Sequence, residues 1–311
     1  DQARVAESVL APYNLGRLNP LGLNSAAPAL FAHGTEAQRL RFLPPMVRDE
    51  ERWCQLLSEP GAGSDLASLA TRAVLDGDEW VLDGSKAFIT NSGSPITSVI
   101  TVTARTDDGI DAFIVPAGTP GLIVEPAYRK LGWHASDTHG LTLEECRVPL
   151  ENMLGAPGSG LRNFLAILDD GRIAIAALAV GLAQACLDHA VEYAKQRQAF
   201  GGPIGRFQGL AFQLADVAVA LENSRHLTYE AAWLKDCGRP FKQAAAMAKL
   251  YSTETAIDAT RVATQVFGGA GFIEESPVAR FYRDAKILEI GEGTSEIQRL
   301  IIARGLGLPV G

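Results

Sequence analysis

The chain is poor in the features that announce the commonest chemistries. Its four cysteines, Cys54, Cys146, Cys186 and Cys237, are widely spaced, with no CxxC pair and no Cys/His cluster, which excludes a zinc site of familiar spacing and leaves them as reduced, structural thiols. The five histidines show no ligand-like spacing either. There is no GxxxxGK[ST] loop, no GxGxxG after a strand, no GxSxG elbow and no HExxH, so ATP hydrolysis on a P-loop, Rossmann-type NAD binding, esterase and zinc-protease chemistry lose their usual support. Long apolar runs are missing: the longest, Ile173–Ala183, is interrupted by Gln184 and falls well short of a membrane span. A basic surplus is missing too. With 28 Lys+Arg against 36 Asp+Glu the net charge is −8, which counts against nucleic-acid and anionic-membrane partners. The first residues, Asp1-Gln2-Ala3-Arg4, lack an initiator Met and the basic head and apolar core of a secretory signal, and the expected setting is cytoplasmic.

What is present is an ordinary globular composition, 47% apolar and 21% charged, in a chain of 311 residues, long enough for two or three modules. Three textures follow one another and set the expected domains: a short helical segment over 1–52, a β-domain over 53–157 and a helical domain over 158–311. In the first, a helix over Glu36–Leu43 is expected to be closed by Pro44-Pro45. In the second, Ala73–Leu75 and Trp80–Leu82 around Asp76-Gly77-Asp78 read as a hairpin, Asp83-Gly84 as a further tight turn, and Ser98–Thr103 and Ile110–Val115 as strands. In the third, apolar residues at helical spacing predict helices over Arg172–Arg197, Phe207–Asp236 and Phe241–Phe267, joined by short connections into an antiparallel bundle.

The most informative segment runs from Tyr282 to Arg299. Glu289, Glu292 and Glu296 fall at i, i+3 and i+7, which suits a solvated helical face. Gly291 and Gly293 flank Glu292 and argue against a continuous helix, while Ser295 and Gln298 have the spacing of a capping box for a helix that begins just after the break. Glu292 then sits on a bend where a ligand can approach closely, which is the setting either of a general base or of a structural turn. Desolvation raises the pKa of such a carboxylate and a helix N-terminus lowers it. Ser58-Glu59-Pro60-Gly61-Ala62-Gly63-Ser64-Asp65 and Gly84–Asn91 read in the same way, as polar turns at strand ends or as small-residue loops that let backbone N–H groups reach a flat or phosphorylated ligand.

Taken in order, Ser58–Asp65, Lys86–Asn91, Arg197-Gln198-Ala199-Phe200-Gly201, Gln265-Val266-Phe267-Gly268-Gly269 and Tyr282–Arg299 closely resemble the acyl-CoA dehydrogenase family over most of the chain, from about Ala29 to Leu308. The resemblance implies an α+β fold, with a middle β-barrel or sandwich domain followed by a C-terminal antiparallel four-helix bundle and preceded by a shortened N-terminal helical segment. It implies FAD as cofactor, an acyl-CoA thioester as substrate and the trans-2-enoyl-CoA as product. Glu292 matches the family's usual base, which removes the α-proton while the β-hydrogen leaves as hydride to flavin N5; the Glu292 backbone N–H is an implied donor to the thioester carbonyl. In some relatives the base stands instead just before an Arg, a place held here by Gly171 in Asp169-Asp170-Gly171-Arg172.

By the same comparison Gln55, Leu57, Ser58, Gly63 and Ser64 line the flavin, as do Phe88, Ile89 and Thr90 where many relatives have Trp-Ile-Thr. Arg197, Phe200, Gln208, Gln265, Gly268, Gly269, Thr294 and Glu296 match further cofactor contacts, with Arg197 and Phe200 reaching the FAD of a neighbouring subunit; Glu296 is often Gln in relatives. Ser64, Asp169, Arg172 and Gly293 match substrate contacts, Asp169 and Arg172 at a helix start facing the CoA portion. The resemblance further implies an electron-transfer flavoprotein as electron acceptor and a homotetramer, a dimer of dimers. Leu168–Ile173 is most like butyryl-CoA dehydrogenases, which points to a short or branched acyl chain. The competing readings are a non-catalytic or regulatory flavoprotein of the same superfamily and a flavin oxidase of a specialised pathway.

Overall fold

The computed structural model describes residues 22–95 and 97–310. The expected helical texture of the first 21 residues lies outside them. The chain groups into two compact units, one made by the residues up to Tyr128 with Asp137–Phe164, the other by Arg129–Ser136 with Leu165 onward.

Among its described residues the first unit begins with a π-helical turn, Gly22–Ala26, that leads into α1 (Ala27–His33) and α2 (Glu36–Val47). Thr35 starts α2 with a reciprocal capping box, its hydroxyl accepting from the Gln38 N–H at 3.2 Å while Gln38 Oε1 accepts from the Thr35 N–H at 2.9 Å. Pro44-Pro45 does not close this helix, which continues through both to Val47. The reason is positional: the prolines lie in the last turn, and their own carbonyls accept from the N–H groups of Arg48 and Glu50 at 3.1 and 2.9 Å.

The strands are β1 (Arg52–Leu56), β2 (Arg72–Asp76), β3 (Glu79–Thr90), β4 (Thr97–Thr106), β5 (Gly109–Pro116), β6 (Leu122–Ala127), β7 (Thr138–Pro149) and β8 (Met153–Leu154). They form one sheet in the order β6-β7-β3-β2-β4-β5-β8, with β1 parallel to β4. The β2–β3 hairpin forms as the sequence predicts, Asp76 pairing with Glu79. The second turn, at Asp83-Gly84, does not: β3 runs on through it with only a slip of register between Leu82 and Gly84. The Asp83 carboxylate accepts from the Glu145 N–H of β7 at 2.8 Å, so the aspartate serves the ladder and not a reversal. Val99–Ala104 of β4 are buried without alternation, as in a strand covered on both faces.

The second unit is built on α3 (Gly160–Gln196), α4 (Gln208–Asp236), α5 (Lys242–Phe267), α6 (Pro277–Ile290) and α7 (Ser295–Gly305). The first of these begins twelve residues before the expected Arg172. Leu161, Phe164 and Leu168 already carry its apolar spacing, and Gly171 is absorbed without a break. The core of this unit is rich in small side chains, including Ala183, Cys186, Ala190, Ala256, Ala259 and Ala263. Helix α5 packs against α4, α6 and α7, and five of its buried residues are Ala245, Ala246, Ala248, Ala256 and Ala259. Small residues at such contacts allow close helix axes. Among the described residues no helix is long and apolar enough to cross a membrane.

Candidate active site

Helix α6 ends at Ile290, where the Gly291 N–H donates to the Ile287 carbonyl at 2.8 Å. The chain then turns through two left-handed residues, Glu292 at φ 54° and Gly293 at φ 89°. A glutamate is uncommon there, and its neighbours hold it in place. The Gly293 carbonyl accepts from Gln298 Nε2 at 2.7 Å and from Lys249 Nζ at 2.9 Å, and Gln298 Nε2 also reaches the Glu292 carbonyl at 3.4 Å. Both donors are fully buried. The cap of α7 is Thr294, whose hydroxyl accepts from the Ile297 N–H at 3.4 Å. The sequence placed that cap one residue later, on Ser295 with Gln298. Ser295 is instead the first helical residue and its hydroxyl has no partner among the described residues, because the Gln298 N–H it would accept from donates to the Thr294 carbonyl at 3.0 Å.

The Glu292 carboxylate lies against Gly171 of α3: a Cβ at residue 171 would stand 2.6 Å from Glu292 Oε2. Position 171 therefore has no room for a side chain while Glu292 holds its place. The next residue, Arg172, is 4% exposed and pairs with Asp169 one turn back. These two residues lie inside α3 and not at its start, where the sequence placed them. Removal from water raises the pKa of Glu292, and the positive charges of Arg172 and Lys249 pull it part of the way back. Burial also raises Asp169, against Arg172 and Lys242, and lowers Lys249 to about 8, against Glu289, Glu292 and Glu296. The product is a half-buried carboxylate that holds a proton more readily than a free one, with two cations beside it. Such a group takes a proton from a weak carbon acid near neutral pH.

In the first unit, Glu59 and Lys86 form a buried pair, Nζ to Oε1 at 2.8 Å. Glu59 also accepts from the N–H groups of Ala70 and Thr71 at 2.6 and 3.1 Å, and Lys86 Nζ approaches Thr103 Oγ1 at 3.4 Å. Burial pushes the Glu59 carboxyl up, but the hydrogen bonds from Lys86, Thr71 and Ala70 hold it below the usual carboxylate range. The pair ties Glu59, near the start of the Ser58–Asp65 loop, to Ala70 and Thr71 beyond its end, while Gly63 and Ser64 are exposed, with nothing within 4 Å of the position a Gly63 Cβ would take.

Residues 54–146 match the model of the acyl-CoA dehydrogenase middle domain and residues 158–307 that of the acyl-CoA dehydrogenase C-terminal domain. The chain is 48% identical over 273 residues to the mitochondrial short-chain specific acyl-CoA dehydrogenase of Rattus norvegicus, covering 87% of itself and 66% of that protein, just under two thirds of its length. It superposes on butyryl-CoA dehydrogenase from Megasphaera elsdenii with a TM-score of 0.88 at 43% identity, over 91% of this chain and 75% of that one. The chain belongs to the acyl-CoA dehydrogenase family. Its sheet domain and helical domain are those of the family fold. It is similar as well to a chain in the structure of the electron transferring flavoprotein of Acidaminococcus fermentans, with a TM-score of 0.87 at 41% identity, over 90% of this chain and 74% of that one.

The family's expected cofactor residues fall on both units, and each unit is open where they stand. In the first, Gln55, Leu57, Ser58 and Thr90 are half-buried, and Phe88, at φ 62°, is 68% exposed with its ring 5.5 Å from that of Tyr128. Ile89 differs: its side chain belongs to the sheet core, leaving only its backbone to a ligand. In the second, Arg197, Phe200, Gln208, Gln265, Gly268, Gly269 and Glu296 are exposed, and Thr294 spends its hydroxyl on the α7 cap. The sequence overlooked Lys249 and the hydrogen-bonding role of Gln298. Their signal was faint: a lone lysine between Ala245, Ala248 and Ser252 on the stripe that α5 buries.

Proposed function

We propose that this family member oxidises a short or branched acyl-CoA thioester to the trans-2-enoyl-CoA, with Glu292 as the catalytic base. The observation that carries the reading is the Glu292 carboxylate itself, held on a left-handed bend, drawn partly out of water and seated against Gly171, within the electrostatic reach of Arg172 and Lys249. In the ionised state it accepts the α-proton. Its neighbouring cations balance the negative charge before transfer, and the Glu292 backbone N–H is the implied donor to the thioester oxygen as charge develops there.

The residues present fit FAD. Gly63 in the first unit and Gly268 and Gly269 in the second each offer backbone with open space where a Cβ would stand, and the expected cofactor residues carry hydroxyls, amides, two aromatic rings and a guanidinium, suited to a flat polar ring system and a pyrophosphate. By the family resemblance the cofactor residues are Gln55, Leu57, Ser58, Gly63, Ser64, Phe88, Ile89 and Thr90 of the first unit and Gln208, Gln265, Gly268, Gly269, Thr294 and Glu296 of the second, with Arg197 and Phe200 reaching the FAD of a neighbouring subunit. Bound FAD would accept the β-hydrogen as hydride. Asp169, Arg172, Ser64 and Gly293 would meet the substrate. The family resemblance and the likeness to the Acidaminococcus structure support an electron-transfer flavoprotein as the onward acceptor. Assembly as a homotetramer would cover Phe200 and Phe272, 90% and 93% exposed in the single chain.

The test mixes FAD-loaded protein with butyryl-, isobutyryl- and octanoyl-CoA and follows loss of the flavin absorbance. Bleaching with at least one thioester is expected, and none with any of the three defeats the substrate class. A Glu292→Gln variant should keep the yellow cofactor and lose the thioester-dependent bleaching.

A further inference from the structure

Two of the most deeply buried polar side chains in the helical unit, Lys249 and Gln298, are both 0% exposed, and both end on one acceptor. That acceptor is the Gly293 carbonyl, at 2.9 Å from Lys249 Nζ and 2.7 Å from Gln298 Nε2. No other hydrogen-bond acceptor of Lys249 is seen among the described residues, and its charge faces Glu289, Glu292 and Glu296. Lys249 stands on α5 among buried Ala245, Ala246, Ala248 and Ser252, where an apolar side chain would pack, and Gln298 Oε1 has no partner among the described residues. A buried ammonium and a half-satisfied amide are costly, so their retention asks for a return elsewhere.

That return is local conformation. The bend puts a non-glycine residue, Glu292, at φ 54° directly before a glycine at φ 89°, a sequence of angles that a free chain seldom adopts. The two donors pin the carbonyl that follows, and Gln298 touches the Glu292 carbonyl as well. We propose that Lys249 and Gln298 are positioning residues, a two-donor clamp on the Gly293 carbonyl that holds the left-handed turn and so keeps the Glu292 carboxylate against Gly171. The proposal rests on the reading of Glu292 as the base.

Lys249 adds a charge to this geometry. The groups facing it are Glu289, Glu292 and Glu296 from the α6–α7 side and Arg172 from α3. Burial brings its pKa to about 8, so the ammonium is lost in mildly alkaline solution while a neutral amine can still donate to Gly293. Loss of Lys249 thus removes both a donor and a titrating charge, whereas loss of Gln298 removes a donor only.

The experiment uses FAD-loaded Lys249→Met and Gln298→Met proteins. Anaerobic mixing with butyryl-CoA at a range of concentrations separates the limiting rate of flavin reduction from half-saturation, and amide hydrogen exchange of residues 287–298 is read in the same proteins without substrate. In both variants the limiting rate should fall by about tenfold or more, with half-saturation within about twofold of wild type and FAD content unchanged, as expected when a base is displaced by a fraction of its working distance. Exchange should quicken in 287–298 and not elsewhere. The rate of the wild type and of Gln298→Met should change with pH near the Lys249 value, and that of Lys249→Met should not. A limiting rate within about twofold of wild type, a change confined to half-saturation, or faster exchange spread over the whole chain overturns the clamp. If Lys249→Met yields no holoprotein, the Gln298→Met result decides by the same criteria. Bleaching retained in Glu292→Gln overturns the base assignment; an inactive Glu292→Gln beside a wild-type-like Lys249→Met overturns only the clamp.

Discussion

The carboxyl of Glu292 titrates under opposed influences: loss of water raises its pKa, Arg172 and Lys249 lower it, and the first prevails. One shift has two consequences of opposite sign. In the proposed role of base the carboxylate must be ionised, so the rate of flavin reduction should rise with pH along a limb displaced above the ordinary carboxylate value of 4.5. For stability, the folded chain binds more protons than the unfolded one between that ordinary value and the raised one, so stability falls as pH rises through the window and stays reduced above it, by about 1.4 kcal/mol for each unit of the shift. Glutamine copies the neutral acid in size and polarity. Glu292→Gln should therefore match wild type in thermal midpoint at about pH 4 and exceed it at about pH 8, in scans at several pH values. A wild type that is the more stable at the higher pH would show that the cations outweigh desolvation. Glu292 was legible because glycines on both sides mark a bend. Lys249 was not, because the charge of a lysine says nothing of which helix face it occupies until the partner helices are in place.

At the scale of elements, the decisive fit is between helix α3 and the α6–α7 bend. Gly171 lies mid-helix, where glycine is less favourable than alanine by about 1 kcal/mol, so Gly171→Ala should by itself stabilise α3. The added Cβ, however, would stand 2.6 Å from Glu292 Oε2, and the yielding atom is the end of a movable side chain. The stability of Gly171→Ala in urea should thus equal or exceed that of wild type while flavin reduction slows by about 10- to 100-fold, since a misplaced reacting group forfeits rate without loss of fold. Unchanged reduction would mean that α3 does not set the place of the carboxylate. The same contrast between local and tertiary demands explains which element boundaries were readable. Gly77 follows the end of β2 as expected, taking a left-handed φ of 67° in the hairpin turn. Asp83-Gly84 and Pro44-Pro45 look like stops. Each was overruled by partners distant or downstream: the Glu145 N–H on β7 and the Arg48 and Glu50 N–H groups after α2. The cap of α7 moved to Thr294, and the Gln298 N–H that a Ser295 cap would have accepted from donates to the Thr294 carbonyl.

For the whole molecule, the succession of sheet and then helices was readable because the apolar period changes from two to near 3.6 around Gly155–Gly160, and that change needs no tertiary knowledge. What no period announces is that Arg129–Ser136, between β6 and β7 in the chain, groups with the helices, where the Trp133 N–H donates to Asp284 at 2.6 Å. Burial on this scale also decides the chemistry of the thiols. All four cysteines are free, Cys237 is exposed, and Cys54 and Cys146 in the sheet unit and Cys186 in the helical unit are buried. Desolvation raises all three buried thiols, Cys146 to about 11 and Cys186 to about 12, with Cys54 higher still. They are guarded twice, by lack of access and by a thiolate fraction of about one part in a thousand or less at about pH 8. A disulfide reagent such as dithionitrobenzoate should therefore titrate one thiol per native chain promptly and the remaining three only under denaturing conditions. More than one prompt thiol would show that at least one of the two cores admits solvent in the native state, because access alone is insufficient and the thiolate must form where water can reach it.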